Sequence, residues 1–155
     1  MSPIPEKLQE TIDNLAIFPD RSARIELLMA TADSFNPVPE EVARRPFEEE
    51  RRVKGCESEA FVFPVPRPDG RLDFYFAVEN PQGISAMAMA RILQESCSGA
   101  PLEEVIAVPQ DVVYKIFGEE LSMGKNMGLT NMVFMVQNEA RKRRRRLEAQ
   151  GAQEG

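Results

Sequence analysis

Histidine and tryptophan are both absent from this 155-residue chain, and cysteine occurs only twice. Without histidine there is no Cys–His or Ser–His catalytic pair, no histidine-ligated zinc and no imidazole to act as general base near neutral pH. Hydrolytic chemistry is a poor reading for that reason. Cys56 and Cys97 are forty-one positions apart and form neither a metal-ligand spacing nor a Cys-x-x-Cys pair, so no metal site is expected. In a reducing compartment a structural disulfide between them is not expected either. Long hydrophobic runs are also missing. The longest charge-free stretch, Asn126 to Asn138, is shorter than the ~20 apolar residues of a membrane helix and contains glycine and polar residues. The opening residues, Met1-Ser2-Pro3-Ile4-Pro5-Glu6, lack the basic-then-apolar order of a secretion signal, and the expected location is the cytoplasm.

What is present suits one ordinary core: 43% hydrophobic residues, no internal repeat and no long low-complexity linker. The net charge of −6 is unevenly spread. The run Arg141 to Arg146 carries six positive charges, which leaves the other 149 residues at −12. The expected division is a domain over 1–140 and a frayed or disordered basic tail over 141–155.

Ser2-Pro3-Ile4-Pro5 offers a helix start, and Leu8, Ile12 and Leu15 follow at the spacing of one apolar face. Pro19-Asp20 interrupts it. Asp20 is placed to cap a second helix with Ile25, Leu28, Met29 and Ala32 on one stripe. Pro37, Pro39, Pro46 and a surplus of carboxylates predict an extended, solvated crossing over 34–50. Ala60–Val65 and Leu72–Val78 are rich in Phe, Val, Tyr and Leu around Arg67-Pro68-Asp69-Gly70-Arg71, which predicts an antiparallel hairpin. Residues Arg51–Lys54 add a short edge strand in this reading. Beyond Asn80-Pro81-Gln82-Gly83 the period is helical up to Gly99. Pro101 and Pro109 start two short helices, Glu119–Gly128 reads as a loop, and Leu129, Met132, Val133, Val136 and Ala140 mark a last amphipathic helix. The fold class is α+β: a small antiparallel sheet of about three strands, flanked by an N-terminal helix pair and several C-terminal helices.

Cys56 stands where a loop is expected to meet a strand, in Arg52-Val53-Lys54-Gly55-Cys56-Glu57-Ser58-Glu59-Ala60. A cysteine on a glycine-adjacent turn can be presented to another protein, whereas a structural cysteine is more often a small apolar group inside an element. Lys54, Arg52 and Arg51 favour the thiolate there, and Glu57 and Glu59 oppose it. From this context alone, a buried strand-end cysteine without chemistry is an equal alternative.

Gly55, Cys56 and Ser58 resemble the Gly-Cys-x-Ser-x segment of the SufE family of sulfur acceptors. Leu121-Ser122-Met123-Gly124-Lys125-Asn126-Met127-Gly128-Leu129 is similar to that family's second motif, Leu-Ser/Thr-Pro-Ser-Arg-x-x-Gly-Leu. With Ile4-Pro5-Glu6-Lys7-Leu8 and Pro19-Asp20-Arg21 where the family has its first helices, the resemblance spans roughly 4–140. The chain departs from the pattern at Glu57 and Glu59, where the family has glutamines, and at Met123, Gly124 and Lys125, where it has proline, serine and arginine. The resemblance implies that Cys56 takes sulfur from the persulfide of a SufS-like cysteine desulfurase, stimulates that enzyme, and passes the sulfur to an iron–sulfur scaffold protein. No cofactor is implied beyond the transient persulfide on Cys56. The loop and partner-contact residues it implies are Arg52, Gly55, Ser58, Lys125 and Gly128.

Three of these have a plainer alternative. Gly55 and Ser58 could merely make a turn. Lys125 keeps the family's charge without the guanidinium fork and could be a solvated surface lysine. Cys97, before Ser98-Gly99, reads as structural. The methionines at 87, 89, 123, 127, 132 and 135 read as packing, and Glu48–Glu50 as a solvated face or a partner-contacting loop. The basic run reads as a solvated helix extension rather than a nucleic-acid contact, and no membrane contact is expected. Two rival functions remain, a non-catalytic adaptor and a thiol redox enzyme. The second lacks a resolving cysteine near Cys56.

Overall fold

The computed structural model describes residues 3–18 and 20–154. Ser2 and Pro19, expected at a helix start and a helix break, lie outside them. The order is α1 (Glu6–Ile17), α2 (Arg21–Asp33), a 3-10 turn (Glu49–Arg51), β1 (Ala60–Pro66), β2 (Leu72–Val78), α3 (Ile84–Cys97), α4 (Leu102–Ile106), α5 (Val112–Phe117), a second 3-10 turn (Gly118–Glu120) and α6 (Met123–Glu154). The architecture is α+β.

The hairpin pairs Ala60 with Val78 through to Pro66 with Leu72. Its turn closes with Arg67 N–H donating to Arg71 O at 2.8 Å and Gly70 N–H to Arg67 O at 3.0 Å. Gly70 has a φ of 92°, which an L side chain resists. Strand alternation sorts the side chains. Ala60, Val62, Leu72, Phe74 and Phe76 enter the main core, each large one contributing about 1.5–3 kcal/mol by burial. Phe61, Phe63 and Ala77 face the other way.

That second face corrects the expected solvated crossing. The segment after α2 straps across the sheet: Val38 N–H donates to Phe76 O at 2.8 Å, and the Phe47 ring sits 5.1 Å from those of Phe61 and Phe63. Apolar residues between the prolines cover an otherwise open aromatic face. The expected edge strand over 51–54 reduces to one bridge, Arg52 with Phe61, because Glu49–Arg51 winds into the 3-10 turn, so the sheet has two strands.

Leu8 and Leu15 of α1 are buried, and the Asp20 carboxylate caps α2 by accepting from Ala23 N–H at 2.7 Å, a contact typically worth about 1 kcal/mol. The α2 stripe is only half used. Ala32 is buried, but Ile25 and Met29 remain 43% and 48% exposed. The last helix starts six residues before the expected Leu129. Ser122 caps it, its Oγ accepting from Lys125 N–H at 3.2 Å and its carbonyl from Asn126 N–H at 2.9 Å. Leu129, Met132, Val133, Val136 and Ala140 are buried as their spacing predicted. The helix continues through the basic run. There Arg143 Nε donates to Gly70 O at 3.0 Å, and half-buried Leu147 packs on the core and lies beside Gly70. Among the described residues, no helix is long and apolar enough to cross a membrane.

Candidate functional site

Two feet fix the loop that carries Cys56. Val53, buried to 1% exposure, donates its N–H to Ala60 O at 2.8 Å and closes the segment between them. Within it Glu59 N–H donates to Cys56 O at 3.2 Å, while Asn80 N–H reaches Ser58 O and Glu79 N–H reaches Glu59 O, both at 3.1 Å. These last two bonds extend the hairpin ladder past its strands. The chain reverses through left-handed backbone at Gly55 (φ 68°) and at Glu59 (φ 52°). Glycine adopts such a value without cost, whereas a glutamate there is uncommon and held by its neighbours.

The loop rests on α6 and on the turn before α3. A Cβ on Gly128 would stand 3.1 Å from Cys56 Cα and from Gly55 O. The helix backbone therefore comes close against the cysteine's backbone, and a side chain at 128 would force the loop to give by a few tenths of an ångström. Gly83 performs the same service for Ser58, since a Cβ there would lie 2.7 Å from Ser58 Cβ. Farther along α6, Asn131 Nδ2 donates to Lys54 O at 2.9 Å.

Cys56 is half-buried and lines a cavity of about 160 Å³. Its lining includes Ser58, Asn80, Gln82 and Ser85, with Lys125 and Gly128 of α6. A water molecule needs only about 10–15 Å³ of such space, so an additional sulfur atom fits easily. Five expected site residues therefore converge: Cys56, Gly55, Ser58, Lys125 and Gly128. Lys125 and Gly128 were expected in a loop and stand instead on the first turns of a helix. Arg52 does not join them. Its guanidinium lies 4.8 Å over the Phe61 ring and its Nε donates to Glu49 at 2.8 Å, which points it to the strap side of the sheet.

Cys97 differs in every respect. It is 1% exposed in the core, and burial pushes its thiol up to about 12. Neither cysteine is in a disulfide. Asn80, Gln82, Gly83, Ser85 and Asn131 belong to the site's surroundings without having been marked as such. The turn signal Asn80-Pro81-Gln82-Gly83 was visible, but nothing in it showed which loop it would meet.

A second hollow adjoins the first and shares Ser58, Gln82, Ser85 and Lys125 with it. It is apolar, lined by Ile25, Leu28, Met29, Ile84, Phe117 and Leu121. Here the unused α2 stripe finds its place, beside the thiol's cavity.

With both motifs joined in one place, the sequence profile of the SufE family, described as an Fe-S metabolism associated domain, matches residues 9–140. The chain belongs to the SufE family. Its association is accordingly with iron–sulfur metabolism. No curated protein matches the chain significantly. Among solved structures it is similar to the solution structure of a hypothetical protein from Thermus thermophilus, at 26% identity and a TM-score of 0.71. That similarity covers 90% of this chain and 97% of the other. The SufE match reaches the buried end of α6 at Ala140 and stops where the basic run begins.

Proposed function

We propose that this chain is a sulfur carrier: Cys56 accepts sulfur from the persulfide of a SufS-like cysteine desulfurase and delivers it to an iron–sulfur scaffold protein. The observation that carries the reading is the contact between Gly128 and the Cys56 backbone, which seats a half-buried thiol from one motif against the helix of the other. The Cys56 thiolate attacks the outer sulfur of the donor persulfide. A new S–S bond forms to Cys56, the donor's S–S bond breaks, and the donor cysteine leaves as thiolate and takes up the proton that Cys56 released. No oxidant or cofactor enters, since one persulfide is exchanged for another. Removing the donor's sulfur frees it for another turnover, and in this reading that is how the chain would stimulate the desulfurase.

The surroundings support this reading. The cavity has room for the added sulfur, and Ser58, Asn80, Gln82 and Ser85 offer it polar neighbours. The apolar hollow lined by Ile25, Met29 and Ile84 suits a protein partner arriving beside the thiol, with Lys125 between hollow and cavity. The cytoplasm is the setting in which both cysteines would stay reduced. The test is incubation with a cysteine desulfurase and free cysteine followed by intact mass. The expected result is a gain of about 32 Da per sulfur atom, the mass of a persulfide cap. A folded chain that stimulates nothing and gains no mass overturns the proposal.

A further inference from the structure

We infer that Asn131 is a positioning residue for sulfur transfer, anchoring the entry limb of the cysteine loop to α6; the inference rests on the sulfur-carrier reading above. The exit limb, Ser58–Glu59, is tied to the hairpin by two backbone bonds from Glu79 and Asn80. The entry limb, Lys54–Cys56, has no such ladder. Among the described residues, the one hydrogen bond that reaches it from outside the loop is Asn131 Nδ2 to Lys54 O, 2.9 Å across 77 positions of sequence. The donor must be the amide nitrogen, because a carbonyl oxygen can only accept.

Placement makes this bond consequential. Lys54 immediately precedes Gly55, whose φ of 68° turns the chain into Cys56. Asn131 Nδ2 also lies 3.4 Å from where a Cβ on Gly55 would stand, so the amide packs on the turn as well as bonding to it. Gly128, three residues earlier on the same helix, meets Cys56 Cα. The glycine permits the close approach, and the asparagine holds the loop in register along the helix. Displacement at a persulfide requires the thiol in line with the S–S bond, and about 1 Å of misplacement can cost roughly a hundredfold in rate.

The test compares Asn131→Asp, which keeps the shape but replaces the donor with an acceptor facing Lys54 O, with Asn131→Ala. Three readings are taken on the full chain: the rate of persulfide gain at saturating desulfurase, the iodoacetamide rate at Cys56 across pH, and hydrogen exchange over 53–59. In both variants transfer from the docked desulfurase is expected to slow roughly five- to twentyfold, because loop positions off register become populated. The desulfurase concentration for half-maximal rate is expected to stay within about twofold, and alkylation by the small reagent to hold or quicken, since it meets the thiol in any loop position. Faster exchange over 53–59 is expected, with a melting temperature lowered by no more than about 4 °C. Parental transfer in both variants, or unchanged exchange, overturns the anchor. A loss of transfer that merely follows melting temperature, or that alkylation shares equally, assigns Asn131 to general stability instead. If the parent chain gains no sulfur while exchange responds as expected, it is the carrier reading that falls, and the role in transfer with it.

Discussion

Gly128→Ala tests whether the glycine is there for the helix or for the loop. For α6 itself alanine is the better residue, by about 0.8–1.0 kcal/mol in a helix interior. Against that, the new Cβ would stand 3.1 Å from Cys56 Cα and Gly55 O and 3.4 Å from Cys56 Cβ. Contacts between carbons favour about 3.5–4.0 Å, and these neighbours belong to or adjoin the backbone and cannot swing aside, so the loop must retreat. Overpacking of this kind costs about 1–3 kcal/mol. The net effect is between roughly zero and −2 kcal/mol, a melting temperature lowered by at most about 8 °C. Sulfur uptake is expected to fall further than stability, roughly tenfold, because the displacement lands on the reacting residue. Gly124→Ala is the control. Its Cβ would meet only Glu57 Oε1, at 3.9 Å, an ordinary contact. This variant should melt at or slightly above the parent and take up sulfur normally. The assays are thermal unfolding and the time course of mass gain. Parental uptake by folded Gly128→Ala, or equal defects in both variants, would refute the claim that close approach to Cys56 is what the glycine supplies.

Cys56→Ser should abolish persulfide acceptance and Cys97→Ser should preserve it in whatever fraction folds; a folded, inactive Cys97→Ser variant would overturn the site assignment. Cys97 should also make stability fall in alkali. Its thiol stays protonated in the folded chain up to about 12 and ionises in the unfolded chain near its ordinary 9.0, so rising pH favours unfolding between those values by up to about 1.4 kcal/mol per unit. Denaturant titrations from pH 8 to 11 should show this fall, and Cys97→Ala should flatten it. Deleting residues 141–155 removes the bond from Arg143 to Gly70 O and the packing of Leu147, and should lower stability by about 2 kcal/mol with uptake within a few-fold below the melting temperature. Lost uptake at unchanged melting temperature would instead make the basic run a docking element.

Much of the fold was legible because the relevant signals are local. The hairpin over Ala60–Val65 and Leu72–Val78 follows from β-rich residues around a Pro-Asp-Gly turn, and the buried face of α6 follows from the spacing of Leu129, Met132, Val133, Val136 and Ala140. The failures have a common cause. Glu119–Gly128 read as a loop because two glycines weigh against a helix, yet Ser122 caps its start and Gly128 is used for contact with Cys56. The strap over 34–50 read as solvated because its prolines and carboxylates outnumber Val38, Val42 and Phe47, the few residues that cover the sheet. The α2 stripe read as one apolar face, but of it Ala32 is buried while Ile25 and Met29 stay exposed.

For the site, the chain alone singled out Cys56 and Cys97 as the only thiols and, through two short motifs, set Gly55, Ser58, Lys125 and Gly128 beside the first. Those are properties of residue type and spacing. The structure decided that Arg52 turns to Phe61 and Glu49, that Gly83 seats Ser58, and that Asn131 reaches Lys54 across 77 positions. Periodicity describes how a residue relates to its own helix or strand. Contacts between distant segments depend on how those elements pack, and packing at contact distances of a few ångströms is decided only when the whole core closes.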